Sequence, residues 1–555
     1  MSGLPALLIT TALLVSAYPP NGIGWLAFVA FVPFFSLLEK QQSRRQVITC
    51  GALLGVLLAS SVLYFTWMID TAAWYQRFAA SLAISGIFAI EGVVLAVPSR
   101  RLLCWAQAKN ATATRRVLLR FAGAVILTGL LWAAVEWAIQ KIFLGLSFHF
   151  GLTQWRYSAV VRLSAYIGLV GLSGMLASVN AAVYLVWRRF VAHEKSLWWE
   201  NRVYSPVTSL IIIGVIIASA TKGALRPYGV PPTLPLSVVS TSLAGTTIPV
   251  YAENEALQAT KAHDPHGRYL NLILVQNGFP VSLREAAAEE FSLTLQLYDR
   301  ILHQSQAGIN SYRQYRAADG ASVKEATTLV VWSETVLHLP MLNYPSHALS
   351  TYRLATEAQT WVLAGFPWAE DGDWYNSAIL IDTSGQMQGR YSKVRPIPIA
   401  ESWVTPGEGW YPLQVNDIRV GVGLCSELID PLVARTLTKN GAEVLVYLSS
   451  LSYLGVSSAI GLHGAFAPFR AAETGRYVAQ AGMVGATLIA APDGTISAAL
   501  PSFGAGTLVG SIPALNSITF YMRYGEALLG MCLIVSLVFQ VAVMPQRKLV
   551  YKAKV

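Results

Sequence analysis

The stretch Ile418-Arg-Val-Gly-Val-Gly-Leu-Cys425-Ser-Glu427 decides how the second half of this chain folds. Residues 418–424 form a short β-rich run that reads as a buried strand, and the run stops abruptly at Cys425. Pro431 follows, and then a helical pattern through Leu432, Leu437 and Thr438. A cysteine at a strand-to-helix turn sits where a nucleophile can project from a sheet edge. The competing reading is a small buried hydrophobe, the usual state of a free thiol. On spacing alone the two readings balance.

Composition sets the surroundings of that stretch. The chain has 555 residues, 54% hydrophobic and 13% charged, with a mean hydropathy of +0.47. Soluble globular proteins carry about 25% charged residues. The composition therefore indicates a membrane protein long enough to hold a water-facing domain as well. The net charge of +10 does not call for a nucleic-acid partner, because Lys and Arg accumulate in the cytoplasmic loops of membrane proteins.

Eight apolar runs cover residues 4–17, 23–38, 47–69, 78–97, 117–139, 159–187, 207–220 and 527–543. Several approach the roughly 20 residues that cross a bilayer. The first lacks a basic leader and an Ala-x-Ala site, so it reads as a retained helix. Basic residues cluster after the second run (Lys40, Arg44, Arg45), the fourth (Arg100, Arg101, Lys109, Arg115, Arg116, Arg120), the sixth (Arg188, Arg189, Lys195, Arg202) and the eighth (Arg547, Lys548, Lys552, Lys554). With eight spans all of these lie on one side. The positive-inside rule then puts both termini in the cytoplasm and residues 221–526 outside it. The expected division is a seven-helix transmembrane bundle (1–220), an outer domain (221–526), and a last helix with a basic tail (527–555). Glu91 and Glu136 fall in or near apolar runs, where an acid is costly and faces a cavity or partner. Glu136 is expected to snorkel at a helix end; the sequence names no partner for Glu91.

The outer domain mixes the two periodicities. Residues 236–240, 271–276, 328–332 and 444–448 read as strands, 283–303 and 470–476 as helices, and 355–363 as a lead into another strand. Residues 378–391 form a hairpin about Thr383-Ser384-Gly385, and 477–491 with Asp493-Gly494 another. This is the pattern of one α/β or layered α+β domain. There is no repeat, no Gly-rich phosphate loop and no His/Cys cluster with metal-ligand spacing, so neither cofactor nor metal is expected.

Of four cysteines, Cys50 and Cys532 lie in apolar runs and Cys104 in a loop, which leaves Cys425 alone in the outer domain. An oxidising compartment selects paired cysteines, so a lone one is either deeply buried or reactive. Two other short runs end in charges: Val330-Val331-Trp332-Ser333-Glu334 and Arg390-Tyr391-Ser392-Lys393. Singly each is an ordinary solvated strand end. Together with Cys425 they supply a base, a cation and a nucleophile: Glu334 to take the thiol proton, Lys393 to lower the thiol pKa and hold an oxyanion.

These three motifs, with Pro396-Ile-Pro-Ile-Ala-Glu401 and Cys425-Ser-Glu427, resemble the Glu-Lys-Cys triad of the nitrilase, or carbon-nitrogen hydrolase, superfamily. Eight spans with this domain before the last resemble the apolipoprotein N-acyltransferase family. Val275-Gln-Asn-Gly278, Leu131-Trp-Ala-Ala-Val-Glu-Trp137, His463 with Arg470-Ala-Ala-Glu-Thr-Gly-Arg476, and Ala491-Pro-Asp-Gly494 are similar to further family segments. The resemblance implies an αββα sandwich and two-step acyl transfer. Cys425 takes an acyl group from a phospholipid and passes it to the amine of a lipoprotein or another acceptor, with Glu334 as base, Lys393 on the oxyanion, and Glu401 and Glu427 orienting the site. A monomer is expected.

The chain departs from the family pattern at Ser426, at Ser450-Leu-Ser-Tyr453 and at Leu144-Gly-Leu-Ser-Phe148, positions that line the substrate approach in the family. A diverged TraB-type branch associated with conjugal transfer is also similar. The alternatives are an amidase that releases ammonia from a small amide and a non-catalytic membrane assembly protein that keeps the fold. Trp403 and Trp410 are candidates to touch acyl chains, though packing is the commoner role of large aromatics.

Overall fold

A computed structural model describes residues 3–62, 64, 73–107, 114–143, 145, 147–191, 239–243, 246–252, 268–318, 327–397, 401–455 and 457–543. The apolar run at 207–220, the basic tail, and Leu144 and Leu146 lie outside the described residues.

The first half is helical: α1 (Leu4–Ala17), α2 (Val32–Lys40), α3 (Arg44–Val62), α4 (Trp74–Ala106), α5 (Thr114–Ile142), α6 (Ser158–Val161) and α7 (Ser164–Val191). Among the described residues, four helices are long and apolar enough to cross a membrane: Arg44–Val62, Trp74–Ala106, Arg116–Ile142 and Ser164–Arg188. The run at 23–38 does not form one helix. It divides into a 3-10 turn, Gly24–Phe28, and the nine-residue α2, which starts with Pro33 in its first turn. Proline pre-sets a helix start but lacks the N–H that an interior position needs, so hydropathy alone overstates this run. Helix α7 breaks at Gly168, whose φ of 69° and ψ of 173° are not helical.

The second half builds two sheets. Strands β1 (Val239–Leu243), β2 (Thr246–Ala252), β3 (Tyr269–Gln276), β4 (Thr328–Val331), β5 (Trp361–Glu370), β6 (Asp373–Ile381), β7 (Met387–Ser392) and β14 (Gly506–Pro513) make an eight-stranded sheet of order β1-β2-β14-β3-β4-β5-β6-β7. Strands β8 (Leu413–Val415), β9 (Ile418–Leu424), β10 (Val444–Ser449), β11 (Val478–Gly482), β12 (Leu488–Ala490) and β13 (Ile496–Ala499) make a six-stranded sheet of order β13-β12-β11-β10-β9-β8. The helical connections are α8 (Val281–Glu289), α9 (Phe291–Ala318), α10 (Pro345–Ala358), α11 (Pro431–Lys439), α12 (Ala459–Gly464) and α13 (Ala467–Thr474), and α14 (Phe520–Val538) ends the described chain. The helix expected at 283–303 is two helices, because the chain is extended at Glu290.

Alternation along the strands makes four layers. Leu270, Leu272 and Leu274 of β3 meet Val420, Val422 and Leu424 of β9 in the apolar layer between the sheets. Ile273 and Val275 face the other way, under α8, α9 and α10. Gly421 and Gly423 lie on the opposite face of β9, where a Cβ would stand 2.8 Å from Ala442 and 2.4 Å from the Tyr447 ring. The outer layer of the second sheet, α11 and α13, shares one core with the membrane helices, running from Leu437 and Phe469 to Trp132 and Tyr184. The hydrolase-like sandwich is thus seated on the bundle.

Candidate active site

The three expected residues converge at the C-terminal ends of β4, β7 and β9. Strands β3, β4 and β5 run parallel in one sheet, and β9, β10 and β11 in the other, so these ends share one edge. Lys393 is fully buried and donates to Glu401 Oε1 at 2.8 Å and Glu334 Oε1 at 3.3 Å. Glu334 also accepts from Asn376 Nδ2 at 2.8 Å and from the Ser450 N–H at 3.0 Å. Asn376 bridges, because it donates to Glu401 Oε1 as well, at 3.1 Å. The other Glu401 oxygen takes the Ile397 N–H at 2.6 Å.

Cys425 opens a 3-10 turn, Cys425–Leu428, with φ at +46°. Thr335, next to Glu334, has φ at +41°. Non-glycine residues in this region cost about 1–3 kcal/mol each and persist where surrounding structure enforces them. Glu427 supplies part of that enforcement. Its carboxylate accepts from the Leu424 N–H at 2.8 Å, Tyr391 Oη at 2.8 Å, the Val394 N–H at 3.2 Å and Trp410 Nε1 at 3.3 Å. Glu401 therefore touches Lys393 directly, whereas Glu427 clasps the strand ends that carry Lys393 and Cys425. Trp410 belongs to this clasp, under the Arg395 guanidinium at 5.3 Å, and Trp403 is solvent-exposed.

Burial pushes the Cys425 thiol well above its ordinary value and Glu334 adds to this; Lys393 and the Ser450 N–H pull the other way without prevailing. The resting group is a thiol. Burial also opposes the Lys393 ammonium, but Glu334, Cys425 and Glu401 outweigh it, so its pKa is raised and it stays charged. Burial raises Glu427 too, opposed by the Leu424 N–H.

Sequence reading missed Asn376, Arg284 and the role of Ser450. Asn376 is a buried amide interrupting the apolar run of β6, and that interruption was the available signal. Arg284 spans from the Thr335 carbonyl (2.9 Å) to Ser452 Oγ (2.7 Å), fixing the two segments behind Glu334. Among the departures, the Tyr453 phenol is raised by burial first, and its neighbours Cys425 and Glu334 add to the rise, so it borders the site. Ser147 and Phe148 cap the bundle: the Phe148 N–H donates to Glu91 Oε2 at 2.9 Å, and its ring meets Phe88 at 5.1 Å. Glu136 does not snorkel. It is fully buried and accepts from Trp132 Nε1 and the Phe150 N–H, both at 3.1 Å.

Comparison with known proteins agrees with this assembly. Residues 10–182 match the apolipoprotein N-acyltransferase N-terminal domain, and residues 295–518 match the carbon-nitrogen hydrolase family. An apolipoprotein N-acyltransferase of Geobacter metallireducens is 23% identical over 94% of this chain and 92% of its own length. The chain belongs to the apolipoprotein N-acyltransferase family. Another apolipoprotein N-acyltransferase, of Shewanella oneidensis, is 21% identical over 80% of this chain and 78% of its own. A carbon-nitrogen hydrolase structure from Helicobacter pylori aligns at TM-score 0.34, with 17% identity, over 48% of this chain and 94% of that one. These apolipoprotein N-acyltransferase relatives lend no support to the conjugal-transfer branch. Among the described residues no group of His, Cys, Asp or Glu could hold a metal ion.

Proposed function

We propose that this chain transfers a fatty acyl group from a phospholipid to the N-terminal amine of a lipoprotein through a thioester on Cys425. The observation that carries the proposal is a strained, buried thiol within the field of Glu334, Lys393 and Glu401, in a domain seated on membrane helices. Two lipid-anchored substrates need such a placement. The reading includes eight spans, an outer domain facing the periplasm, and a monomer.

The resting site holds a charged ammonium on Lys393 and a neutral thiol on Cys425. Moving the thiol proton to Glu334 leaves the net charge unchanged, so burial opposes it far less than it opposes ionisation into water. Sγ attacks the ester carbonyl as Glu334 accepts its proton, and the oxyanion is held by Lys393 and a nearby backbone N–H. The glyceryl alkoxide leaves with the proton from Glu334. The lipoprotein amine then attacks the thioester, gives its proton to Glu334, and Cys425 departs and is reprotonated.

The test is intact mass of the full chain in detergent with phosphatidylethanolamine and no acceptor. A fatty-acyl increment is expected, cleaved by neutral hydroxylamine and absent in Cys425→Ala. An adduct retained in Cys425→Ala would remove the nucleophile assignment. Ammonia released from small amides without any adduct would favour the amidase.

A further inference from the structure

The carbonyl of the nucleophile is held by a histidine that the acyl-transfer steps do not use. His463, on α12, meets Cys425 O at 3.0 Å through Nε2. A carbonyl only accepts, so Nε2 carries the proton, and in a neutral ring Nδ1 is then an acceptor. Gln480 Nε2 donates to Nδ1 at 3.0 Å and to Ser449 Oγ at 2.9 Å, which fixes this tautomer from behind. Burial pulls His463 down to about 4, so the ring is neutral at neutral pH. Cys425 is thereby clamped on both flanks: Glu427 takes the Leu424 N–H before the thiol, and His463 donates to the carbonyl after it.

The segment carrying His463 also rests on the membrane helices and their connections. The Ser458 N–H donates to Tyr64 Oη at 3.2 Å. A Cβ on Gly461 would stand 3.2 Å from Pro20, so the two segments are nearly in contact there. The Phe466 ring meets His149 edge-on, with centroids 5.0 Å apart.

We propose that His463 is a positioning residue: its Nε2–H holds the Cys425 backbone in the left-handed conformation that aims the thiol, and so ties the nucleophile to the seating of the domain on the bundle. The inference rests on Cys425 being the nucleophile of the proposed acyl transfer. Without the donor, only the Glu427 side of the clamp remains, and Cys425 relaxes toward ordinary φ, which displaces Sγ. A misplacement of about 1 Å costs on the order of 10²-fold in rate.

The test compares His463→Phe, a ring without a donor, with His463→Gln, whose amide N–H reaches toward the place of Nε2. Full-chain protein in detergent is assayed for acyl-adduct formation from phosphatidylethanolamine, for the alkylation rate of Cys425 by iodoacetamide, and for thermal unfolding. His463→Phe should slow both reactions by roughly 10- to 100-fold, and His463→Gln should stay within about threefold of wild type at a similar unfolding temperature. Equal losses in the two variants, or wild-type rates in His463→Phe, overturn the proposal. If His463→Phe does not fold, Gln480→Leu removes the partner of Nδ1 without touching α12. It should slow both reactions by about threefold or more, and unchanged rates overturn the proposal. Alkylation needs no acyl donor. A wild type that alkylates but never acylates would therefore sink the acyl-transfer reading while the His463 comparison still stands.

Discussion

Lys393 lies between Glu334 and Glu401 with almost no solvent contact, and this sets what each substitution can do. Glu334→Gln removes the base and keeps one oxygen, enough for the Asn376 and Lys393 donors on Oε1 but not also for the Ser450 N–H on Oε2. Acyl-adduct formation should fall by about 10² or more with folding largely kept. Lys393→Met removes the cation and leaves two carboxylates facing each other. It should lose a similar factor in rate and also about 3–5 kcal/mol of stability, as breaking a buried ion pair does. Single-turnover acylation with thermal unfolding separates the two, and near-normal turnover in either variant excludes that residue. The raised thiol adds a pH signature. With the neutral thiol as the resting group, the acylation rate should not climb in proportion to hydroxide between about pH 6 and 8. A tenfold rise per pH unit there would mean that free thiolate attacks, without help from Glu334.

At the scale of elements, the break in α7 and helix α13 form one joint. The break at Gly168 strips the Leu169 N–H of a partner within its helix, and Glu473 of α13 accepts it at 2.8 Å. The same carboxylate pairs with the fully buried Arg470 at 3.1 Å. Glu473→Ala orphans both the N–H and the guanidinium, so it should cost about 3–5 kcal/mol, whereas Glu473→Gln keeps an acceptor and should cost less. Equal unfolding temperatures for the alanine variant and wild type would show that the joint bears no load. This joint was not legible in the sequence, although Arg470 to Arg476 was read as a helix. Strands such as β9 and β10 were legible because their whole length is apolar and β-branched between turn residues. Glu334 and Cys425 could be found because each follows such a strand, and Lys393 because it follows the second strand of the hairpin about Gly385. Asn376, Glu473 and Glu136 could not be tied to Glu334, the Leu169 N–H and the Phe150 N–H, because those groups lie 42, 304 and 14 residues away in the chain. The run at 23–38 misled because hydropathy records apolar content but not where the backbone can continue a helix.

For the whole molecule, orientation turns on which end of the bundle carries the sandwich. Its contacts fall on Pro20 after α1, Tyr64 after α3, His149 after α5, and Arg162 and Leu169 at the start of α7. The basic residues gather at the other end. Arg100 donates to the Leu38 carbonyl at 3.0 Å, Arg188 pairs with Glu39 at 3.2 Å, and Arg44 and Arg45 begin α3. Sandwich and basic end are therefore separated by the length of α3 and α7, and the 19 residues of α3 rise about 28 Å, close to the roughly 30 Å of a bilayer core. If the basic end is cytoplasmic, as the positive-inside rule requires, the sandwich faces the periplasm. The full chain with Tyr411→Cys, at a site 66% exposed on the sandwich, should react with a membrane-impermeant maleimide in intact spheroplasts. Arg45→Cys, exposed at the basic end, should react only after lysis. Wild-type protein with its four native cysteines gives the background. The reverse pattern, with Arg45→Cys labelled in intact spheroplasts and Tyr411→Cys protected, would invert the topology and place the thiol on the wrong side for a periplasmic lipoprotein amine.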